Sequence, residues 1–381
     1  MGKKRGNAEG SVYKRRDNRW AATIHLGYED GKRKRRTFYS NTRQGAVKKL
    51  AVAQRAVDGG LPLPSDTATV STFLRHWLNE SARPSVRPRT FQSYQMIVEH
   101  HLIPALGHAR LARLAPDALE TYMNGKLEYG LKPLTIRNHL AVLGRALNQA
   151  LRWGLVQRNV ASLVTPPRDR KQEVQPLSPN EARALLDAVK GDRLEALFGV
   201  ALGLGLRQGE VLALAWDDVD LEDGTLSVRH TLQRYDGAYH LDEPKTSRSR
   251  RTIALPRPLI EALRAHRTQQ VEERLRAGQA WEGNQWHLIF TTMAGKPLSG
   301  AVVTHRFQEI LAAAGLPRQK FHDLRHAAAS FMLVQGVAMR VVMEVLGHSS
   351  IAVTANTYSH VMPALQRDAT DSVGKLLWAT S

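Results

Sequence analysis

The chain of 381 residues contains no cysteine. Disulfide bridges, thiolate nucleophiles and cysteine-based zinc or iron–sulfur sites are therefore excluded. It also lacks any apolar run of about 18 residues, so no stretch reads as a membrane-spanning helix. The opening MGKKRGNAEG has no apolar centre and is not a secretory signal. Gly6 stands where an N-myristoylation motif requires Ser or Thr. The expectation is a soluble, intracellular protein. Acidic residues are scarce, 35 against 54 Lys and Arg, which leaves a formal net charge of +19. Nothing resembles the dense carboxylate cluster of a Mg²⁺ site, and there is no internal repeat. A chain this basic is expected to meet a polyanion, nucleic acid first among them.

What is present divides along the chain. The first sixty residues hold sixteen Lys and Arg against five Asp and Glu, so most of the excess charge lies at the front. SVYKRRDNRW and AATIHLGY read as strands around a turn at Asp17-Asn18, and a second turn, Glu29-Asp30-Gly31, leads into KRKRRTFYS. TRQGAVKKLAVAQRAV has helical spacing with Thr42 as N-cap. LPLPSDTATV is a linker. Four helical segments follow, TVSTFLRHWLNESA, PRTFQSYQMIVEHHLIPAL, APDALETYMNGKLEYG and KPLTIRNHLAVLGRALNQALRWGLV, their starts marked by Thr69, Pro88, Pro116 and Pro133. Arg87, Arg89, Arg137 and Asn138 on their polar faces suit phosphate contact. A second Pro-rich, charged linker, 164–182, should be extended. The last region begins with a Ser178 cap. The predicted architecture is multidomain, mainly α with α+β. It comprises a three-stranded sheet with a helix (1–62), a helical bundle (68–165) and a mostly helical domain with a small β-sheet (173–381).

The chemistry-bearing strings lie in that last region. Cutting a phosphodiester with a side-chain oxygen needs a nucleophile, charge stabilisation at phosphorus and an acid for the leaving oxygen. Arg207, in GLRQGE, follows an apolar helix loosened by Gly203 and Gly205. A planar guanidinium forks onto two phosphate oxygens, though Glu210 is near enough for an internal salt bridge. Lys245, in EPKTS, lies between LSVRHTLQ and SRRTIALP, read as flanking strands. It is a candidate acid, with Arg248, Arg250 and Arg251 expected to touch backbone phosphates. His322 and Arg325, in FHDLRH, share one face of a starting helix, with Asp323 as a local hydrogen-bond partner. His326 stands four residues from His322, but the helix lacks the Glu of a zinc-protease pattern and no third ligand follows, so a metal is not expected. His348, in LGHSS, precedes a helix start at Ser349 or Ser350. Tyr358, in NTYSH, is followed by Ser-His rather than by an apolar run. A phenol becomes a useful nucleophile when cations gather around it.

Each string taken alone has a bland reading as a salt bridge, a solvated hairpin or a core residue. In this order, within a basic chain, the set resembles the active site of the tyrosine recombinases, the phage-integrase family. The likeness to the three-domain integrases with an arm-type N-terminal DNA-binding domain covers nearly the whole chain. It implies catalytic roles for Arg207, Lys245, His322, Arg325, His348 and Tyr358, with Tyr358 as nucleophile. The implied reaction is site-specific recombination that integrates or excises a phage or other mobile element through a 3′-phosphotyrosyl intermediate. The implied partners are double-stranded DNA at core and arm-type sites and a homotetramer on two duplexes. A host DNA-bending protein and an excisionase or directionality factor are further expected partners. No cofactor or metal is implied, and the place of action is the bacterial cytoplasm at the nucleoid. The run Ala327-Ala328-Ala329 departs from the bulkier residues often seen in the family, which touches packing more than chemistry. The C-terminal stretch VGKLLW is expected either to dock on a neighbouring protomer or to pack on its own domain. A type IB topoisomerase-like relaxing enzyme and a catalytically silent DNA-binding regulator are the alternatives.

Overall fold

The protein is described from a computed structural model, which covers residues 10–29, 32–58, 68–169, 175–244 and 249–347, with 370, 371, 373, 377 and 378. It is mostly helical with small antiparallel sheets, and the chain divides into two compact units, residues 1–171 and 172–381.

The first unit opens with three strands, β1 (Ser11–Lys14), β2 (Trp20–Glu29) and β3 (Lys32–Ser40), paired in that order and antiparallel. Asn18, at φ 62°, makes the first turn, one of the few residue types that tolerates the left-handed region. Asp30 and Gly31 of the expected second turn lie outside the described residues. Helix α1 (Arg43–Asp58) starts where Thr42 Oγ1 accepts the Gly45 amide at 3.1 Å, the cap expected for it. Strand alternation puts Ala22, Ile24 and Phe38 on one face, where they bury against Ala46, Leu50 and Ala53 of α1. The opposite face carries exposed Tyr13 and Tyr39, with the Arg15 guanidinium 4.8 Å from the Tyr39 ring.

A separate apolar core in the same unit belongs to four helical rods. The first joins α2 (Val70–Trp77) and α3 (Arg83–Ser85), and the second joins α4 (Pro88–Ile97) and α5 (Ile103–Leu106). The others are α6 (Pro116–Glu128) and α7 (Pro133–Arg152). Thr69 caps α2 through a reciprocal box with Thr72, and Pro88, Pro116 and Pro133 occupy first turns, where a missing N–H costs nothing. The first two rods are not uniform. Each contains a π-turn, Leu78–Ala82 and Val98–Leu102, where the amides of Arg83 and Ile103 reach back five residues to Leu78 and Val98. Pro84 and Pro104 follow immediately. A proline ring crowds the carbonyl four residues back and cannot donate to it, and the wider turn relieves that conflict while keeping the rod continuous. Residues 59–67 and 170–174 of the two linkers lie outside the described residues.

The second unit begins with α8 (Pro179–Ala188), capped by Ser178 in a reciprocal box with Glu181. Next come α9 (Glu195–Leu204), α10 (Gln208–Leu212), β4 (Val219–Asp220), β5 (Thr225–Val228), β6 (Thr231–Tyr235), β7 (Ala238–Asp242) and β8 (Arg251–Ala254). The unit continues with α11 (Arg257–Ala277), α12 (Gly300–Ala313), α13 (Asp323–Val334) and α14 (Met339–Leu346). Helix α9 is apolar all round and accordingly central. Phe198 stacks on Phe307 of α12 at 5.7 Å and meets Phe321 at 6.3 Å. The strand reading of LSVRHTLQ requires correction. It is two strands, β5 and β6, that part company at Arg229-His230. β5 pairs with β4 and β8, while β6 pairs with β7 in a ribbon of its own, and β7 lies in the stretch between LSVRHTLQ and SRRTIALP. Periodicity identifies a strand but not its partner.

Candidate active site

Gly205 ends α9 at φ 62°, a conformation in which a side chain is strained. A Cβ there would lie 2.6 Å from Leu346 Cδ2 and 3.2 Å from Ala328 Cβ. The bare glycine, with the small Ala328 against it, lets α13 and the end of α14 approach the end of α9. Ala328 is thus the packing counterpart of the glycine turn, while Ala327 and Ala329 are buried in separate clusters.

Two of the expected site residues converge on this corner. Arg325, 2% exposed, donates from Nη1 to Gly205 O and from Nη2 to Leu346 O, both at 2.8 Å. Arg207, two residues past the glycine, donates from Nη1 to Glu210 Oε1 at 2.6 Å and from Nη2 to Gly347 O at 3.4 Å. Glu210 Oε2 also accepts the Arg207 amide at 3.1 Å, so this carboxylate both orients the guanidinium and caps α10. Arg207 keeps 39% of its side chain exposed, and Arg325 is enclosed.

His322 sits at the head of α13, its ring 5.1 Å from that of His326 and nearly perpendicular to it. Desolvation of the ring, then His326, Arg325 and Arg207, push its pKa down to about 4, with Asp323 opposing. The residue is exposed, so water weakens the first of these causes, while the Arg325 and Arg207 guanidiniums act in the same direction. The lowered pKa favours the neutral imidazole at pH 7. Asp323 accepts the Lys320 amide at 2.7 Å, the local role expected of it. Among the described residues, no group of three or more His, Asp or Glu is placed to hold a metal ion, and no helix is long and apolar enough to cross a membrane.

Lys245, His348 and Tyr358 lie outside the described residues. Of their basic neighbours, Arg250 is half exposed and pairs with Glu243 at 2.6 Å. Arg251 does not face outward as expected. It is buried and donates to Glu210 Oε2 at 3.0 Å and to Val345 O at 2.6 Å. Sequence parity carried that signal, because Arg251 alternates in phase with buried Ile253 and Leu255. Burial pushes the Glu210 carboxyl up, but the Arg251 and Arg207 guanidiniums outweigh it and hold it below the ordinary carboxylate range.

Comparison with known proteins places the chain in a family. The phage integrase family model matches residues 175–364, and the model of the phage integrase N-terminal SAM-like domain matches residues 69–127. A tyrosine recombinase XerC-like protein of Caldanaerobacter subterraneus subsp. tengcongensis is 31% identical over 375 residues, covering 94% of this chain and 96% of that one. The chain belongs to the phage integrase family of tyrosine recombinases. Tyrosine recombinases are DNA strand transferases, so the protein is an enzyme of site-specific DNA recombination. An integrase of Saccharopolyspora erythraea is 30% identical over 431 residues, covering 98% of both chains. The fold is shared with the Tn1549 transposon integrase in complex with a circular-intermediate DNA (TM-score 0.67, 21% identity, 81% of this chain and 100% of that chain). It is shared also with a lambda integrase tetramer bound to a Holliday junction (TM-score 0.58, 18% identity, 93% and 96%).

Proposed function

We propose that this integrase cleaves and rejoins double-stranded DNA at specific sites through Tyr358, to integrate or excise a phage or other mobile element. Tyr358 attacks the scissile phosphate, forms a 3′-phosphotyrosyl ester and releases a 5′-hydroxyl. Arg207, Arg325 and His348 stabilise the phosphorane oxygens, Lys245 protonates the leaving oxygen, and His322 positions the phosphate or assists proton transfer. The 5′-hydroxyl of a partner strand then reverses the step. The ester conserves the bond energy, so the reaction draws on neither ATP nor a metal ion. Residues 1–62 act as the arm-type DNA-binding domain, 68–165 as the core-binding domain and 173–381 as the catalytic domain. The working assembly is a homotetramer on two duplexes in the bacterial cytoplasm, at the nucleoid. A host DNA-bending protein and an excisionase serve as accessory partners. The tail ending in VGKLLW docks on a neighbouring protomer, a reading supported by the exposure of Leu377 and Trp378.

The observation that carries the chemistry is the convergence of Arg207 and Arg325 on one glycine corner with Gly347, which directly precedes His348 in the chain. A nicked suicide duplex bearing the core site tests it. Wild-type protein is expected to form a covalent adduct, and Tyr358→Phe to bind the duplex with equal affinity and form none. An adduct in the Phe variant would remove Tyr358 from its role. Recombinant products between two duplexes, rather than relaxed circles, separate recombination from topoisomerase action.

A further inference from the structure

Helix α14 ends in three carbonyls that an unaided helix leaves without partners. Each accepts from a different arginine: Val345 O from Arg251 Nε at 2.6 Å, Leu346 O from Arg325 Nη2 at 2.8 Å, and Gly347 O from Arg207 Nη2 at 3.4 Å. The partial negative charge of a helix C-terminus thus meets three guanidiniums. Only Arg251 lacks a role in the reaction described above, yet it donates to three different acceptors. Its Nη1 donates to Ser249 O at 2.9 Å, and its Nη2 donates to Glu210 Oε2 at 3.0 Å. The fit is close, since a Cβ on Gly347 would stand 2.8 Å from Arg251 Nη1.

The charge arithmetic gives this arrangement a consequence. Glu210 is 3% exposed and lies between two arginines. With both present, the trio keeps one net positive charge, and its solvent-facing member is Arg207. Without Arg251, the carboxylate would be matched by Arg207 alone. The pair would then be neutral, with Arg207 held inward by a buried carboxylate that has no second guanidinium. In sequence, Arg251 also joins the two parts of the site, six residues after Lys245 and at the first position of β8.

We propose that Arg251 is a positioning residue for strand cleavage: by satisfying Glu210 and the end of α14 it leaves the Arg207 guanidinium available to the scissile phosphate. The inference rests on the recombinase reading given above. Four proteins test it, each compared for adduct formation on a nicked core-site duplex, duplex affinity and melting temperature: wild type, Arg251→Met, Arg251→Lys and the double variant Arg251→Met/Glu210→Gln. Arg251→Met is expected to slow adduct formation by about 10- to 100-fold, the size of loss seen when an outer-shell partner that orients a metal ligand is removed, with duplex affinity unchanged. Arg251→Lys, which keeps the charge but cannot reach three acceptors, should melt like the wild type and cleave at an intermediate rate. Removing the stranded carboxylate should make the double variant faster than Arg251→Met, a rescue that a purely structural role does not predict. Wild-type rates in both single variants would overturn the proposal, as would a double variant no faster than Arg251→Met. If Arg251→Met fails to fold, a wild-type rate in Arg251→Lys overturns it instead. Absence of an adduct in the wild type would count against the recombinase reading itself, whereas adducts at full rate in the variants count only against Arg251.

Discussion

Arg207 and Arg325 share a chemical name and a corner of the fold but not an environment, and their substitutions should differ accordingly. Arg325 is enclosed and holds the carbonyls of Gly205 and Leu346. Its loss leaves buried acceptors unsatisfied, at roughly 1–3 kcal/mol for each. Arg325→Ala should lower both the melting temperature and the cleavage rate. Arg207 is part exposed, and its removal leaves Glu210 still paired with Arg251. Arg207→Ala should melt close to wild type while cleavage falls by roughly 10² to 10³, the cost of one transition-state donor. Thermal melts run beside suicide-substrate cleavage read both effects, and equal destabilisation by the two substitutions would contradict the distinction. At this scale the sequence was informative about identity and less so about surroundings. Arg207, His322 and Arg325 are recognisable from short strings, and Glu210 is close enough in the chain to be suspected as a partner. The Arg251 contacts span 41 and 94 residues. They follow from strand parity only once the strand is known to be half buried, which is why that arginine was read as a phosphate contact.

The elements themselves were legible where a local chemical cause acts. Thr42, Thr69 and Ser178 cap helices through their own side chains, and Pro88, Pro116 and Pro133 stand in first turns. Strand partners were not legible, because pairing β5 with β8 skips a whole ribbon. The glycine corner gives a test at this level. Gly205→Ala puts a Cβ in a left-handed residue and against Leu346 and Ala328, so it should cost about 2 kcal/mol or more in denaturant unfolding. Loss of cleavage should accompany it. A second test concerns the core of the helical bundle. His139, 1% exposed, stacks on His101 at 4.4 Å and shares a 2.8 Å hydrogen bond with the Tyr122 hydroxyl. Burial, then His101 and Lys126, lower its pKa to about 4. The unfolded chain therefore takes up a proton near pH 6.5 that the folded bundle refuses until about pH 4. Stability contributed by keeping His139 neutral is present above pH 6.5 and declines as the pH falls through that window, by up to roughly 3 kcal/mol. His101 is lowered in the same direction. Unfolding curves from pH 7 to pH 4 should show this slope, and His139→Gln should flatten it.

Across the whole molecule, charge is distributed unevenly, and each of the two compact units holds more than one apolar cluster. More than half of the net +19 lies in the first sixty residues, whose three-stranded sheet exposes Tyr13 and Tyr39 on one face. If that face meets phosphates, affinity for arm-type duplex should fall steeply with salt, each neutralised phosphate adding about 0.9 to the log–log slope. Deleting residues 1–58 should reduce that slope by several units while leaving adduct formation on a core-site duplex in place. An unchanged slope would remove the front of the chain from DNA binding. Two changes of periodicity, from alternating strands to helical spacing and then to mixed elements, separate stretches that bury different apolar clusters among the described residues. The account's central claim, that one phenolic oxygen becomes the temporary carrier of a broken strand, is tested most directly by trapping the adduct on a nicked core-site duplex, digesting it and sequencing the nucleotide-bearing peptide by mass spectrometry. The account predicts a single modified residue, Tyr358, carrying a 3′-linked nucleotide. Site-specific cleavage with the nucleotide on another residue, or with no protein-bound nucleotide, would contradict it.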